Sequence, residues 1–350
     1  MKRPTIADIA ARAGVTKAAV SFALNGQPGV SAATRARILA IAEEVGFQPN
    51  SAAKALTAGR VGTFGLIIDR PARTLGIEPF FMQLLSGIQA DLTQHHVTLQ
   101  FSTTEDSGNE IAMYRQWWAQ RRVDGVFLVD LQRDDPRIGV LEQLRMPAVV
   151  IGSPLGSGSL PAVWQDEREV VEAIVGHLAE LGHRRIARVG GVPRYWHTTL
   201  RAQAFAEIAA AAGLAPVQVE ADYNAGPGAN ATRELLSGSR PPTAIVYDND
   251  VMAVAGLGAA QRMGISVPAD VSIVSWDDSV LCEITHPALT ALRRDIAEIG
   301  SGAARMLREV VDGHHPAHVK EATPLLLERD STGPAPSDDV PGPVLRQVPA

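Results

Sequence analysis

Apolar positions in the first sixty residues recur at helical spacing. Ile6, Ile9, Ala10 and Ala13 share one face, behind Thr5 as a cap with Asp8 three residues on, and Gly14 supplies the left-handed exit. Thr16 caps a second helix running Lys17 to Leu24, which Asn25-Gly26 stops. Ser31 caps a third, with Ile38, Ile41, Ala42 and Val45 on one face and Gly46 after it. Two short helices across a three-residue, glycine-containing turn make a helix-turn-helix, whose second helix enters a major groove. A generic three-helix bundle would show the same apolar positions.

From Val61 the pattern changes. The runs GTFGLII, VTLQFS, VDGVFLV and PAVVIG alternate with helical segments, and RIARVGG, TAIVYD and VSIVSW follow as a second series beyond the turn-rich SPLGSGSLP. Strands alternating with helices predict parallel α/β sheets, and two series of similar length predict two doubly wound lobes. No strict internal sequence repeat is visible. The final STGPAPSDDVPGPVLRQVPA, rich in Pro, Ser and Gly and without a leucine heptad, is expected to be disordered.

Between these regions lies PNSAAKALTAGR, where Asn50 can cap a helix of about eight residues, too short to be stable alone in water. Either it is a helical linker or it is a hinge that forms on DNA and places Leu56 as an apolar wedge in the minor groove.

Charge sharpens the picture. The 350-residue chain carries a net charge of -6, yet residues 1–60 hold eight Lys and Arg against three acids, a balance of +5. A small basic module on an acidic body suits a nucleic-acid partner for one end. The exposed side of the second helix offers Lys17, Ser21 and Asn25 near the hydroxyls of Thr5, Thr16, Ser31 and Thr34, the short polar groups that grip phosphates. One cysteine, Cys282, fits a reducing compartment. With no signal-peptide core and no run of about 20 apolar residues, a cytoplasmic protein that neither spans nor binds a membrane is expected.

Enzyme motifs are poorly represented. There is no Walker A sequence, no GxGxxG at a strand-to-helix turn and no GxSxG elbow. His177 and His183 lack the HExxH pattern, and His314, His315 and His318 beside Pro316 read as a solvated loop rather than a metal site. No catalytic residue, metal or cofactor is expected.

TIADIAARAGVTKAAVSFALNG, followed by VSAATRARILAIAEEVGFQPNSAAKAL, resembles the headpiece of the LacI family of bacterial transcription regulators. RRVDGVFL, HLAELGHRRIARVGG, PPTAIVYDNDVMA, VPADVSIVSWDD and HPALTALRRDIAEIG resemble that family's effector-binding body, itself similar to periplasmic sugar-binding proteins. The resemblance runs to about Thr332. It implies an all-α helix-turn-helix headpiece with a hinge helix, then a periplasmic-binding-protein-like α/β core of two doubly wound lobes. The expected boundaries are residues 1–48 for the headpiece, 49–60 for the hinge, 61–161 plus 293–322 for the first lobe, 162–292 plus 323–332 for the second, and 333–350 for the tail. The chain would cross between lobes near Ala162, Arg293 and Thr323.

By the same resemblance, Lys17, Ala18 and Phe22 face base edges, with Asn50, Ala53, Lys54 and Leu56 completing the DNA contacts. Phe22 either meets a thymine methyl or covers the bundle. Ala19 stands where the family has threonine, and Lys54 where arginine is commoner. The effector contacts fall on Asp166, Arg201, Tyr223, Asn249 and Asp277, acceptors, a guanidinium fork and an aromatic face suited to a sugar. For Arg201 and Asp277 an inter-lobe salt bridge, and for Tyr223 core packing, are the competing readings. Arg73 and Glu78 are candidates for the cleft mouth. Ala204 replaces a usual glycine and Trp276 a smaller aromatic, both crowding this neighbourhood. The function implied is a ligand-responsive transcription regulator, a dimeric repressor on a pseudo-palindromic operator with a sugar-like effector. A solute-binding module of a sugar transporter is the alternative.

Overall fold

A computed structural model describes residues 4–47, 59–71 and 75–337. The chain divides into two compact units, one ending at Gly62 and one beginning at Thr63.

The first unit holds α1 (Ile6–Ala13), α2 (Lys17–Leu24) and α3 (Ala32–Glu44). Each begins where a hydroxyl is available to a free backbone N–H. Thr5 accepts from Asp8 N while the Asp8 carboxylate returns to Thr5 N, and Thr16 and Ser31 accept from Ala19 N and Thr34 N. Gly14, at φ 63, turns the chain sharply out of α1. Helices this short do not persist alone. Ile9, Val20 and Ile38, fully buried with Ala10, Ala13, Ala23 and Ala42, hold them together.

The second unit builds its first sheet from β1 (Thr63–Asp69), β2 (Thr98–Thr104), β3 (Gly125–Leu128), β4 (Ala148–Ile151) and β5 (Ala162–Trp164). The intervening helices are α4 (Pro79–Gln94), α5 (Ser107–Ala119) and α6 (Pro136–Leu144). The chain then passes to α7 (Glu167–Glu180), β6 (Arg185–Gly190), α8 (Trp196–Ala211), β7 (Ala215–Glu220), α9 (Ala225–Ser237), β8 (Ala244–Tyr247), α10 (Asp250–Arg262), β9 (Ser272–Ser275), α11 (Val280–Ile284) and β10 (Thr290–Arg293). It returns through α12 (Ile296–Val311) and β11 (Val319–Lys320) to the first lobe, then to β12 (Leu325–Leu327) in the second.

The first sheet is ordered β11-β5-β4-β3-β1-β2 and the second β12-β10-β9-β8-β6-β7. All neighbouring strands in these two sheets run parallel except β10 and β12. Both lobes therefore repeat one doubly wound order, a duplication the sequence does not display. In such sheets a ligand crevice opens at the carboxyl ends of the strands. Strands β3, β4, β8 and β9 are buried throughout, which explains their unbroken apolar runs. Helices α4 and α12 pack through Gly87 and Gly300. A β-carbon on Gly87 would lie 1.8 Å from the Ala297 carbonyl oxygen, so no larger residue fits there.

Two expected boundaries move. Ala162–Trp164 pairs with β4 in the first sheet, so the first crossing follows Trp164 rather than Ala162. The end of the chain keeps order past Thr332: Gly333 N–H donates to Ser272 Oγ (3.1 Å) and Ala335 N–H to the Leu181 carbonyl (2.8 Å). These main-chain bonds outweigh the local Pro, Ser and Gly composition there.

Candidate functional site

Helix α2 turns two different faces outward and inward. Val20 and Ala23 are buried, whereas Lys17, Ala18, Phe22 and Asn25 are exposed and Ser21 is half-buried. Phe22 is 40% exposed, and a β-carbon on Gly29 would lie 3.3 Å from its ring, so it stands beside the turn while keeping an outward face. Asn25 Nδ2 donates to Ser21 Oγ at 3.4 Å. Thr5, Thr16 and Ser31 stand exposed at three helix N-termini with half-buried Thr34 beside Ser31, where free N–H groups and the helix dipole favour phosphate. Asn50, Ala53, Lys54, Leu56 and Arg73 lie outside the described residues.

The larger feature is the cleft between the two lobes, enclosing about 880 Å³ of empty space, its open mouth included. Arg201, Tyr223 and Asp277 line it. Arg201, on α8, donates through Nε to Glu167 at 2.8 Å and through Nη1 to the Asp248 carbonyl, with its guanidinium 4.0 Å over the Trp276 ring. Trp276 is thus a buried platform beneath Arg201. The ion pair joins Arg201 to Glu167 within the second lobe, so Arg201 does not make the inter-lobe salt bridge that was its competing reading. Asp277 pairs instead with Arg294, 3.0 Å away on the second crossing.

Tyr223 is both lining and buried. Its hydroxyl meets His197 Nε2 at 2.7 Å and Thr198 Oγ1 at 2.6 Å. Burial, reinforced by Arg201, lowers the His197 pKa to about 4, so the imidazole is neutral. Tyr223 sits at φ 69 and Asp130 at φ 52. Left-handed backbone at a side-chain-bearing residue costs about 1–3 kcal/mol and collects at ligand sites.

Asp166 and Asn249 do not line the cleft. Asp166 caps α7 and lies 3.6 Å from Lys320 at the end of β11. Its neighbours Gln165 and Glu167 face the cleft instead. Asn249 is buried as the cap of α10, accepting from Met252 N and donating to the Tyr223 carbonyl. Each side chain is held by its own helix N-terminus.

Glu78 does line the cleft, with several residues that sequence reasoning missed. Arg70, following β1, donates to Asp130 at 3.0 Å and stands 3.5 Å from Glu78. Its guanidinium lies 5.4, 5.0 and 4.7 Å from the ring centres of Phe81, Tyr195 and Tyr223, within cation–π range. Burial pushes Glu78 up to about 7 despite Arg70, and its Oε2 receives no hydrogen bond. Burial also raises Asp130 and Glu167, but Arg70 and Arg201 outweigh it and leave both carboxyls below their usual range. A basic residue after an apolar strand, as in LIIDR, was the one available signal for Arg70.

The lobes also meet beside the cleft. Gln132 and Tyr195 form an isolated antiparallel bridge, and Trp196 N–H donates to the Leu131 carbonyl at 2.8 Å.

The sequence pattern described as "Bacterial regulatory proteins, lacI family" matches residues 5–50, and that of a "Periplasmic binding protein-like domain" matches residues 175–332. The HTH-type transcriptional regulator CelR of Thermobifida fusca is 32% identical over 89% of this chain and 93% of its own. The HTH-type transcriptional regulator MalR of Streptomyces coelicolor is 31% identical over 95% and 98%. Among solved structures, a CelR–cellobiose complex superposes with TM-score 0.72 at 30% identity, covering 94% of this chain and all of that one. A lac repressor dimer bound to operator and the anti-inducer ONPF gives TM-score 0.85 at 24% identity over 95% of this chain.

Proposed function

Because this chain belongs to the LacI family of bacterial transcriptional regulators, we propose that it is a repressor that binds a pseudo-palindromic operator as a homodimer and releases or engages it in response to a neutral sugar in the inter-lobe cleft. The charge arrangement of the cleft carries this reading. Arg70 is matched by Asp130 and Glu78, Arg201 by Glu167 and Arg294 by Asp277, and His197 is neutral. With each of these cations already paired, a phosphate or carboxylate ligand would have to displace a carboxylate. Hydroxyl groups can bridge such pairs without doing so, and Trp164, Phe80, Trp196 and Tyr223 offer faces for sugar C–H groups. The cellobiose complex of a 30% identical relative supports the same ligand class.

At the other end, Lys17, Ala18, Ser21, Phe22 and Asn25 on α2 read the major groove. Thr5, Thr16, Ser31, Thr34 and Asn50 bind phosphates, while Ala53, Lys54 and Leu56 act at the centre of the site in the minor groove. Exposed Ile77 and Met82 on the first lobe and Val280 and Ile284 on the second give the second copy apolar surface. The acidic body repels DNA and leaves the headpiece as the adhesive surface. Effector closing the cleft would change the pairing of two headpieces through a coupling of about 1–3 kcal/mol, or roughly 5- to 150-fold in affinity.

Selection of random-sequence DNA by the purified protein at two salt concentrations tests this. Enrichment of a palindrome, with affinity shifted by a neutral sugar, is the expected result. Salt-sensitive binding without enrichment, whether or not sugars are present, would remove the operator reading.

A further inference from the structure

Beside the cleft, on the outer side of the first crossing, lies a second chamber of about 850 Å³ of empty space, open solvent included. Ser153, Trp164, Gln165 and Glu167 line both spaces, so the two are separated by nothing more than shared side chains. The chamber's far walls come from different lobes. Pro154 and Leu155 follow β4 of the first lobe, while Leu200, Gln203 and Ala204 lie on α8 of the second, on the helix face adjoining the one that turns Arg201 into the cleft.

The lining is mostly apolar, with the Trp164 indole and the amides of Gln165 and Gln203 among it. Its charged rim is self-compensated: Asp166 faces Lys320, and Arg168 is 2.7 Å from Glu207 and 3.4 Å from Glu172. An apolar floor with an indole and amides at its edges matches a pyranose ring, whose C–H faces stack on aromatics while its hydroxyls bond outward.

We propose that the effector is a neutral oligosaccharide that runs out of the cleft past Trp164, one end held among Arg201, Tyr223 and Asp277 and the following unit or units lying in this chamber. The assignment rests on the sugar reading of the cleft and adds to it the length of the ligand and the direction in which it leaves. Because the chamber is walled by both lobes, a ligand long enough to fill it holds them together at a second place, outside the cleft.

Calorimetric titration of the full chain with gluco-, galacto-, manno- and xylo-oligosaccharides of one to four units tests the assignment. The series that binds is expected to gain about tenfold or more in affinity at the unit that reaches the chamber. Leu155→Trp and Gln203→Trp fill the chamber from opposite walls at exposed positions, so neither disturbs a core. Both should abolish that increment and leave binding of the shorter members unchanged. Affinity independent of length, with both variants equal to the parent at every length, overturns the chamber assignment and leaves the cleft reading standing. Failure of every probe, single units included, removes the sugar reading and the chamber assignment with it.

Discussion

Replacing Arg201 by methionine removes a charge while keeping a long apolar stem over Trp276. Glu167 is then left in the protein interior without its nearest partner, 2.8 Å away in the parent. Breaking a buried ion pair by removing one member typically costs about 3–5 kcal/mol. Glu167 stands in the first turn of α7, where the helix dipole favours its charge, and Arg294 also attracts it. The lower end, about 3 kcal/mol at pH 7, is therefore expected, or roughly 5 °C in the melting temperature of a unit this size. The loss should depend on pH with a definite sign. In the parent, Glu167 titrates below its usual range, so its contribution is present above the unfolded carboxyl value and lost as pH falls through the folded one. In the variant the buried carboxyl titrates above its unfolded value, so the penalty is full at pH 7 and shrinks as pH falls toward 5 and the group takes up a proton. Urea denaturation of both proteins at pH 5 to 8 reads this directly. Adding Glu167→Gln should recover most of the stability, because neither charge remains buried alone. Headpiece binding to DNA should survive in both variants while the effector response disappears. A loss below about 1 kcal/mol, constant with pH and additive with Glu167→Gln, would refute the ion-pair reasoning.

Glu78, raised to about 7 by burial, favours a protonated closed cleft, so stability of the effector unit should fall as pH rises from about 5 to 7; Glu78→Gln should flatten that slope in thermal melts. Lys17→Ala should weaken operator binding and reduce the slope of log affinity against log salt by about one per headpiece, which anisotropy titrations measure. Phosphorylation of a sugar that binds should reduce its affinity by an order of magnitude or more in calorimetry, since Arg70, Arg201 and Arg294 are already paired. Leu56→Ala should lower affinity for operator far more than for nonspecific DNA, and equal losses on both would remove the wedge.

Capping chemistry made the headpiece readable. A hydroxyl before each helix and a glycine or Asn-Gly after the first two placed Ile6–Ala13 and Lys17–Leu24 where the structure has them. Strands β1, β3, β4, β6, β8 and β9 were equally plain, because their apolar runs come from sheets covered on both faces, whereas β5, β7, β10, β11 and β12 left no run that stood out. The cleft was legible in part. Arg201, Tyr223 and Asp277 line it, but the sequence cannot say whether Asp166 or Glu167 points inward at a helix start, since adjacent residues there differ by about 100° in direction. Arg70, Asp130 and Arg294 escaped because their roles come from pairings between segments distant in the chain. The shared strand order of the two lobes escaped for a different reason: topology survives exchange of nearly every side chain as long as the pattern of burial is kept.

The main-chain bridge between Gln132 and Tyr195 bears on time as well as on affinity. It joins the two lobes beside the cleft, whose lining includes the neighbouring Leu131 and Trp196. A ligand whose release requires the lobes to part there leaves no faster than the paired backbone opens, and lobe motions of this kind take microseconds to milliseconds or longer. The regulator would then keep the memory of a sugar after the surrounding concentration has fallen, so that brief fluctuations in supply are averaged before they reach the DNA.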